Sequence, residues 1–482
     1  MYKGETKMKI LMINPPIRET AHPVVPSGLA YIAQVVRRQG YEISVLDING
    51  LRLDKKKVLE YIKKSDANVF MIGGLITVYK YAKWLAEVIK RYHPEPIIIA
   101  GNSLASSYPE FILKNTRIDL LVIGEGESTV LELLKIISKN RKLKKLKRIN
   151  GIAFRNGKKI IITKQRERIE DLDSIPFPAW DLFPMQVYTK KQIPLEEVEA
   201  IKGKVMHVVS GRGCPYRCIY CYHIFGYHNR LRSAESIIKE LEILKEKYGV
   251  NLVYFSDDLF IVNRDWVIKL CNELIKRKLD INWVTTGRTN LVDLELLKKM
   301  KQAGCILIQY GIESGSQKML NIMNKGVTVE QASNAIRMTR EAGIIVSTSF
   351  MMGFPEEEKE DIEKTIKFCI DNDIHLVSIF FVTPYPGTAL YEQVKRLGLI
   401  KDEEDFINKL GDATELTLNI SKFSDKELLD LKNYIISKVR KAYFKKHKIE
   451  QLKWYIKKIK WSAEFLKKEG IIEFLKKVKK RF

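Results

Sequence analysis

From Lys9 to about Ser138, short apolar runs alternate with stretches whose apolar residues recur every three or four positions. The runs read as strands at Ile10 to Ile13, Glu42 to Leu46, Val69 to Ile72, Pro96 to Ala100 and Asp119 to Ile123, while Leu29 to Gln39 and Tyr79 to Tyr92 carry a helical period. Solid apolar strands separated by amphipathic helices are the pattern of a parallel sheet covered on both faces. Residues 1–148 are therefore expected to fold as a doubly wound, Rossmann-like α/β domain with its ligand at the carboxyl ends of the strands. Over residues 149–204 the alternation lapses into a hairpin around Asn156-Gly157 and a proline-rich stretch from Ile175 to Pro184, which reads as a linker.

The alternation returns over residues 205–400, with strands near Val205 to Ser210, Leu252 to Phe255, Asn282 to Thr286, Ile306 to Ile312, Ile344 to Met352 and Leu376 to Val382. Six strand-helix units fit a partial (β/α)6 barrel of the TIM type. Residues 401–482 show helical patterns only, ending in a strongly basic tail.

Composition adds limits. A chain of 482 residues with 45% hydrophobic content can fill two or three cores. Met1 to Lys9 is polar and the apolar run after it stops at Asn14-Pro15-Pro16, so no secretory signal is read and a cytoplasmic product is expected. The uncharged stretch Leu376 to Tyr391 is broken by Pro384, Pro386 and Gly387 and is too short to span a bilayer. The net charge of +25 comes from lysines spread over the length, the pattern of a solvated surface; nucleic acid is not an expected partner.

Three of the six cysteines fall within eight positions, in Gly211-Arg212-Gly213-Cys214-Pro215-Tyr216-Arg217-Cys218-Ile219-Tyr220-Cys221, just after a predicted strand. Three thiolates at this spacing leave one iron of a [4Fe-4S] cluster without a protein ligand, free to chelate an amine and a carboxylate. Structural zinc would need a fourth ligand, for which only His223 and His228 lie near, and no second Cys-x2-Cys pair exists. Cys271, Cys305 and Cys369 are isolated among apolar neighbours and read as core residues.

The cysteine motif resembles the signature of the radical S-adenosylmethionine (SAM) superfamily, and the resemblance runs to about Tyr391. It implies ligation of the cluster by Cys214, Cys218 and Cys221, and SAM contacts from Tyr220, from Ser256, Asp257 and Asp258 after the second barrel strand, and from Arg288, Glu313, Gly353 and Tyr385. In that family Tyr220 would lie near adenine, the Ser256 segment would take the methionine amine, Arg288 the carboxylate and Glu313 the ribose hydroxyls, with Gly353 and the Pro384 to Thr388 loop on the adenine side. Plain structural readings stand beside these: Asp257 or Asp258 as a helix cap near Arg264, Arg288 in a surface ion pair, Gly353 as a turn.

Strand-end segments of the first domain resemble the cobalamin-binding domain of one radical SAM class: Asn14-Pro15, Gly73-Gly74-Leu75 with Thr77, Gly101-Asn102 and Gly124-Glu125-Gly126. Glycine there lets the backbone approach a flat ligand, although ordinary turns would use it too. The Asp-x-His-x-x-Gly motif of methionine-synthase-like cobalamin domains is absent, and His22 stands at the wrong spacing to replace it.

Together these resemblances imply an enzyme that reductively cleaves SAM to a 5'-deoxyadenosyl radical, uses cobalamin, and methylates an unactivated carbon. A non-methylating cyclase or C–C coupling enzyme is the alternative, and a cobalamin or membrane-docking module with a structural cluster a lesser one. RNA methylthiotransferases carry three cysteines before the barrel, and here none precedes Cys214. Expected partners are a small-molecule or lipid-like substrate and an electron donor such as ferredoxin or flavodoxin. In the tail, Leu452, Tyr455, Ile459, Ala463 and Leu466, then Ile471, Leu475, Val478 and Phe482, recur at helical spacing among lysines and beside Trp454 and Trp461. This stripe is expected to pack on the barrel, with peripheral contact at the inner face of the membrane as the other reading.

Overall fold

The computed structural model describes residues 8–17, 23–140, 143–190, 203–374, 377–456 and 459. Its first sheet has seven strands: β1 (Lys9–Asn14), β2 (Glu42–Asp47), β3 (Val69–Gly73), β4 (Ile97–Gly101), β5 (Leu120–Val122), β6 (Ile152–Asn156) and β7 (Lys159–Ile162). Their order is β2-β1-β3-β4-β5-β6-β7, the first five parallel and the last two antiparallel. Side chains alternate between faces along each strand. Ile10, Met12, Val69, Met71 and Ile99 therefore pack against the helices Ser27–Arg38 and Glu127–Asn140, while Leu11, Ile13, Phe70, Ile72 and Ile98 pack against Lys55–Lys64, Tyr79–Tyr92 and Pro109–Asn115.

The hairpin at Asn156-Gly157 forms, with Gly157 at a φ of +63°, but it is no linker. β6 pairs along the open edge of β5 and buries Ile152, Ala153 and Phe154. An edge strand with an apolar partner in reach is covered rather than left to solvent.

The second sheet is wholly parallel, in the order β8 (Val205–Val208), β11 (Leu252–Phe255), β12 (Asn282–Gly287), β13 (Cys305–Glu313), β14 (Ile345–Met352), β15 (Ser378–Phe381). It is the expected six-stranded partial barrel. Between β8 and β11 the chain makes a two-residue antiparallel ladder, β9 (Gly211–Arg212) with β10 (Arg230–Leu231), which closes the loop 213–229 at its base. Cys271, Cys305 and Cys369 are all buried. Segments 172–174, 180–182 and 185–188 join the sheets through Trp180, Phe183, Met185 and Tyr188, and one apolar core runs from the first sheet into the outer face of the second.

The helix Asp425–Lys446 opens with a capping box at Ser424 and Glu427 and buries Leu428, Ile435 and Val439. Beyond it the expectation of tail packing fails for the described residues. His447 bonds Asp373 at 2.7 Å and Trp454 folds back, its ring 5.5 Å from that of Phe444. Ile449, Leu452 and Ile459 are 71%, 61% and 68% exposed, with Tyr455 and Ile456 exposed beside them. Trp461, Ala463, Leu466, Ile471, Leu475, Val478 and Phe482 lie outside the described residues, as does His22. No helix among the described residues is long and apolar enough to cross a membrane.

Candidate active site

The loop 213–229 is held from below by carboxylates. Asp257 accepts from Ser210 N (2.7 Å), Gly211 N (3.1 Å) and Ser210 Oγ, and Asp258 accepts from Gly213 N (2.9 Å). Neither caps the next helix; Asn263 does, accepting from Trp266 N. Burial pushes Asp257 up to about 7 and raises Asp258 as well. Ser256 points elsewhere, bonding His207 Nδ1 at 2.6 Å, and the imidazole stacks on Tyr254. Gly213 sits at a φ of +89°, and a Cβ there would meet the His228 carbonyl oxygen at 2.2 Å, so the position accepts glycine alone.

Above this base the cysteines face cations. Arg288 is buried, lies flat over the Tyr216 ring at 3.5 Å and reaches within 3.9 Å of Cys218 Sγ. It is no surface ion pair, and its Nη2 is buried without a partner. Lys325 bonds Glu313 Oε1 (2.8 Å) and the Tyr220 hydroxyl (3.4 Å). A hydrogen bond from Cys221, then the charges of Lys325 and Arg288, bring the Cys218 thiol down to about 6 against the effect of burial, while the same bond drives Cys221 up. A thiol whose ionisation is favoured by neighbouring cations and a buried donor lacking an acceptor suit an iron-sulfur cluster and a carboxylate-bearing ligand. Glu313 holds a φ of +66° at a bulge in β13, a strained backbone that turns its carboxylate toward Lys325.

Gly353 (φ +97°) donates its N–H to Glu357 at 2.5 Å. The Tyr385 hydroxyl bonds the Gly411 carbonyl at 3.0 Å.

At the carboxyl ends of β1, β3, β4 and β5 lies a cavity of about 290 Å³. Its wall includes Asn14, Pro15, Gly73, Gly74, Leu75, Gly101, Asn102, Gly124, Glu125 and Gly126, all expected there from the sequence. Thr77 is not among the lining residues; it falls in the 3-10 turn Ile76–Val78, which directs it elsewhere. The Asn14 side chain is spent on Asp47 at 2.8 Å. A Cβ at Gly101 or Gly124 would meet nothing within 4 Å, so the rim is open, while Leu29, Ile32, Met71, Ile99 and Val130 make the interior apolar. An open glycine rim over an apolar slot fits a large flat ring carrying an aromatic side group.

Three further lining residues, Arg212, Ile224 and Phe225, come from the cysteine segment. Arg212 bonds Glu125 at 2.9 Å and Glu127 at 2.5 Å; Arg230 bonds Glu125 at 2.9 Å and the Ile169 carbonyl at 2.6 Å. Sequence reasoning did not single out Arg212, Arg230 or Lys325. The one available signal was an arginine inside the cysteine motif itself.

Two family models match: the radical SAM superfamily over residues 208–369 and the B12 binding domain over residues 14–134. The chain is 33% identical over 393 residues to an uncharacterized methyltransferase of Pyrococcus horikoshii, covering 80% of this chain and 83% of that protein. It is 28% identical to the anaerobic magnesium-protoporphyrin IX monomethyl ester cyclase of Rubrivivax gelatinosus, over 80% of this chain and 70% of that one. In fold it is similar to the radical SAM methyltransferase TsrM of Kitasatospora setae with cobalamin and [4Fe-4S] cluster bound, with a TM-score of 0.67 at 18% identity, covering 82% of this chain and 79% of that one. The chain belongs to the cobalamin-binding branch of the radical SAM superfamily. It is an enzyme whose cofactors are a [4Fe-4S] cluster, SAM and cobalamin, and both the zinc reading and the non-catalytic module fall.

Proposed function

We propose that this enzyme methylates an unactivated carbon of a small organic substrate. The observation that carries the reading is the shared wall: Arg212, Ile224 and Phe225 of the cysteine segment line the cavity at the strand ends of the B12-binding domain. When bound, the cluster supplies one electron that splits SAM to methionine and a 5'-deoxyadenosyl radical, and cobalamin supplies the methyl group.

The chain's own residues bind and orient. Cys214, Cys218 and Cys221 would hold the cluster, and the unpartnered Nη2 of Arg288 would receive the SAM carboxylate. Glu313, steadied by Lys325, takes the ribose hydroxyls, and Tyr220 flanks adenine. Asp257 and Asp258, engaged with the backbone of Ser210 to Gly213, hold the loop rather than the SAM amine. Gly353 shapes the adenine side, and enclosure by the partial barrel keeps water from the radical.

Anoxic protein reconstituted with cluster and cobalamin, given a reductant and SAM carrying a deuterated methyl group, should yield 5'-deoxyadenosine and S-adenosylhomocysteine. Cys218→Ala should yield neither. A product gaining no methyl mass would move the assignment to cyclisation or coupling, and absence of 5'-deoxyadenosine from loaded protein would sink radical chemistry.

We further propose reduced ferredoxin or flavodoxin as electron donor, since an acidic donor suits a chain of net charge +25. The exposed row Ile449, Leu452, Ile456 and Ile459, with Lys448 and Lys453 beside it, suits the headgroup layer of an anionic membrane and a lipid-like substrate. Flotation with anionic and with neutral vesicles tests this; equal flotation with both removes the anionic preference, and flotation with neither removes the membrane.

A further inference from the structure

Arg212 and Arg230 stand directly opposite each other in the β9–β10 ladder, where like charges would push the two strands apart. Glu125 lies between them and accepts from both guanidinium groups, and Glu127 takes the second fork of Arg212. All four side chains are buried, at 9% exposure or less. The two carboxylates follow β5 on the rim of the cavity, Glu125 in the turn and Glu127 at the start of the next helix; the two arginines close the base of the loop that carries the cysteines. Cys214 N donates to Gly226 O at 3.1 Å, so the first cysteine is tied to the far side of the same loop, next to the cavity residues Ile224 and Phe225. Whatever sets the shape of this loop also sets one wall of the cavity.

We propose that the Arg212–Glu125–Glu127 bridge couples the two cofactor sites, so that a loaded cluster raises the affinity of the cavity for cobalamin and, reciprocally, cobalamin favours retention of the cluster. With the cysteines ligated, the loop 213–229 is fixed, and Arg212, Ile224 and Phe225 stand where the cavity needs them. Without a cluster the loop has fewer restraints, and a ligand in the cavity must meet the cost of ordering it. Coupling between two sites is equal in both directions. Arg212 is here a positioning residue: its bidentate fork joins two carboxylates whose own segment forms the cavity rim. The inference rests on the cofactor pair and not on the methylation, so an enzyme that cyclised or coupled its substrate would show it equally.

The test is equilibrium binding of hydroxocobalamin, read by absorbance after anoxic gel filtration, to full-length protein with the cluster reconstituted and to the same protein without iron. The cluster should tighten binding about tenfold, within the usual range for coupled sites. Arg212→Lys keeps the charge and loses the fork; Glu127→Gln keeps the shape and loses the charge. In both variants the ratio between the two states should fall toward one, and in both the cluster's electron paramagnetic resonance signal should no longer shift when cobalamin is added. Equal affinity of the native protein in both states overturns the coupling and leaves the two-cofactor assignment standing. A ratio unchanged in both variants overturns the role of the bridge. Failure of both states to retain cobalamin overturns the assignment and the coupling together.

Discussion

The guanidinium of Arg288 is pressed on Tyr216, aimed past Cys218 and left with one buried N–H unanswered. Lysine there would keep the charge and lose both the stacking and the fork. Arg288→Lys is expected to raise the KM for SAM tenfold or more, on the order of the loss of one charge-assisted bond, with iron content unchanged; steady-state 5'-deoxyadenosine kinetics beside an iron assay read both. His207 offers a different measurement. Burial lowers its imidazole to about 4 from the usual 6.5. The folded state thus binds fewer protons than the unfolded one, so the contribution is fully present above pH 6.5 and is lost as pH falls toward 4. Thermal melts should show His207→Gln losing less stability than native protein between pH 7 and pH 5. At this scale the sequence marked the candidate ligands and hid their supports. Cysteine spacing is written along the chain, whereas Lys325 meets Glu313, and Arg212 meets Glu125, only after the chain has folded.

Among the elements, the β9–β10 ladder holds most with fewest residues. Its arginines are committed to buried carboxylates, so Arg212→Ala would strand the Glu127 charge and leave Glu125 to Arg230 alone; a loss of about 3–5 kcal/mol in urea unfolding is expected. Gly213→Ala strikes the same loop through its backbone, since the new Cβ would press on the His228 carbonyl and the φ of +89° disfavours any side chain. Reconstituted iron and sulfide should fall well below native while far-ultraviolet circular dichroism stays the same. The parallel strands were legible because each is a solid apolar run between amphipathic helices. The hairpin at Asn156-Gly157 was legible as a turn, but its attachment to β5 was not, because pairing across a sheet leaves no local trace. The two-residue strands β9 and β10 have no periodicity to read at all. The tail erred in the other direction: a regular apolar stripe promised a core, and its described part faces outward.

For the molecule as a whole, the two sheets share a core through Trp180, Phe183 and Tyr188, and the cysteine segment after the first barrel strand completes the cavity at the strand ends of the first sheet. The strand ends of both sheets were foreseeable as binding rims; that one segment would serve both rims was not. That segment also limits how such a protein can be remade. A Rossmann-like domain is often regarded as a portable unit, yet here part of its binding wall is encoded well downstream, at Arg212, Ile224 and Phe225. Recombination that grafted the first sheet onto a foreign barrel would carry the glycine rim and Glu125 with Glu127, but not the arginines that neutralise them. The transplanted cavity would be lopsided and charged on one side. Lineages that exchange these halves must therefore exchange the cysteine segment with them, so glutamate and arginine are expected to travel as a set through the descent of the family.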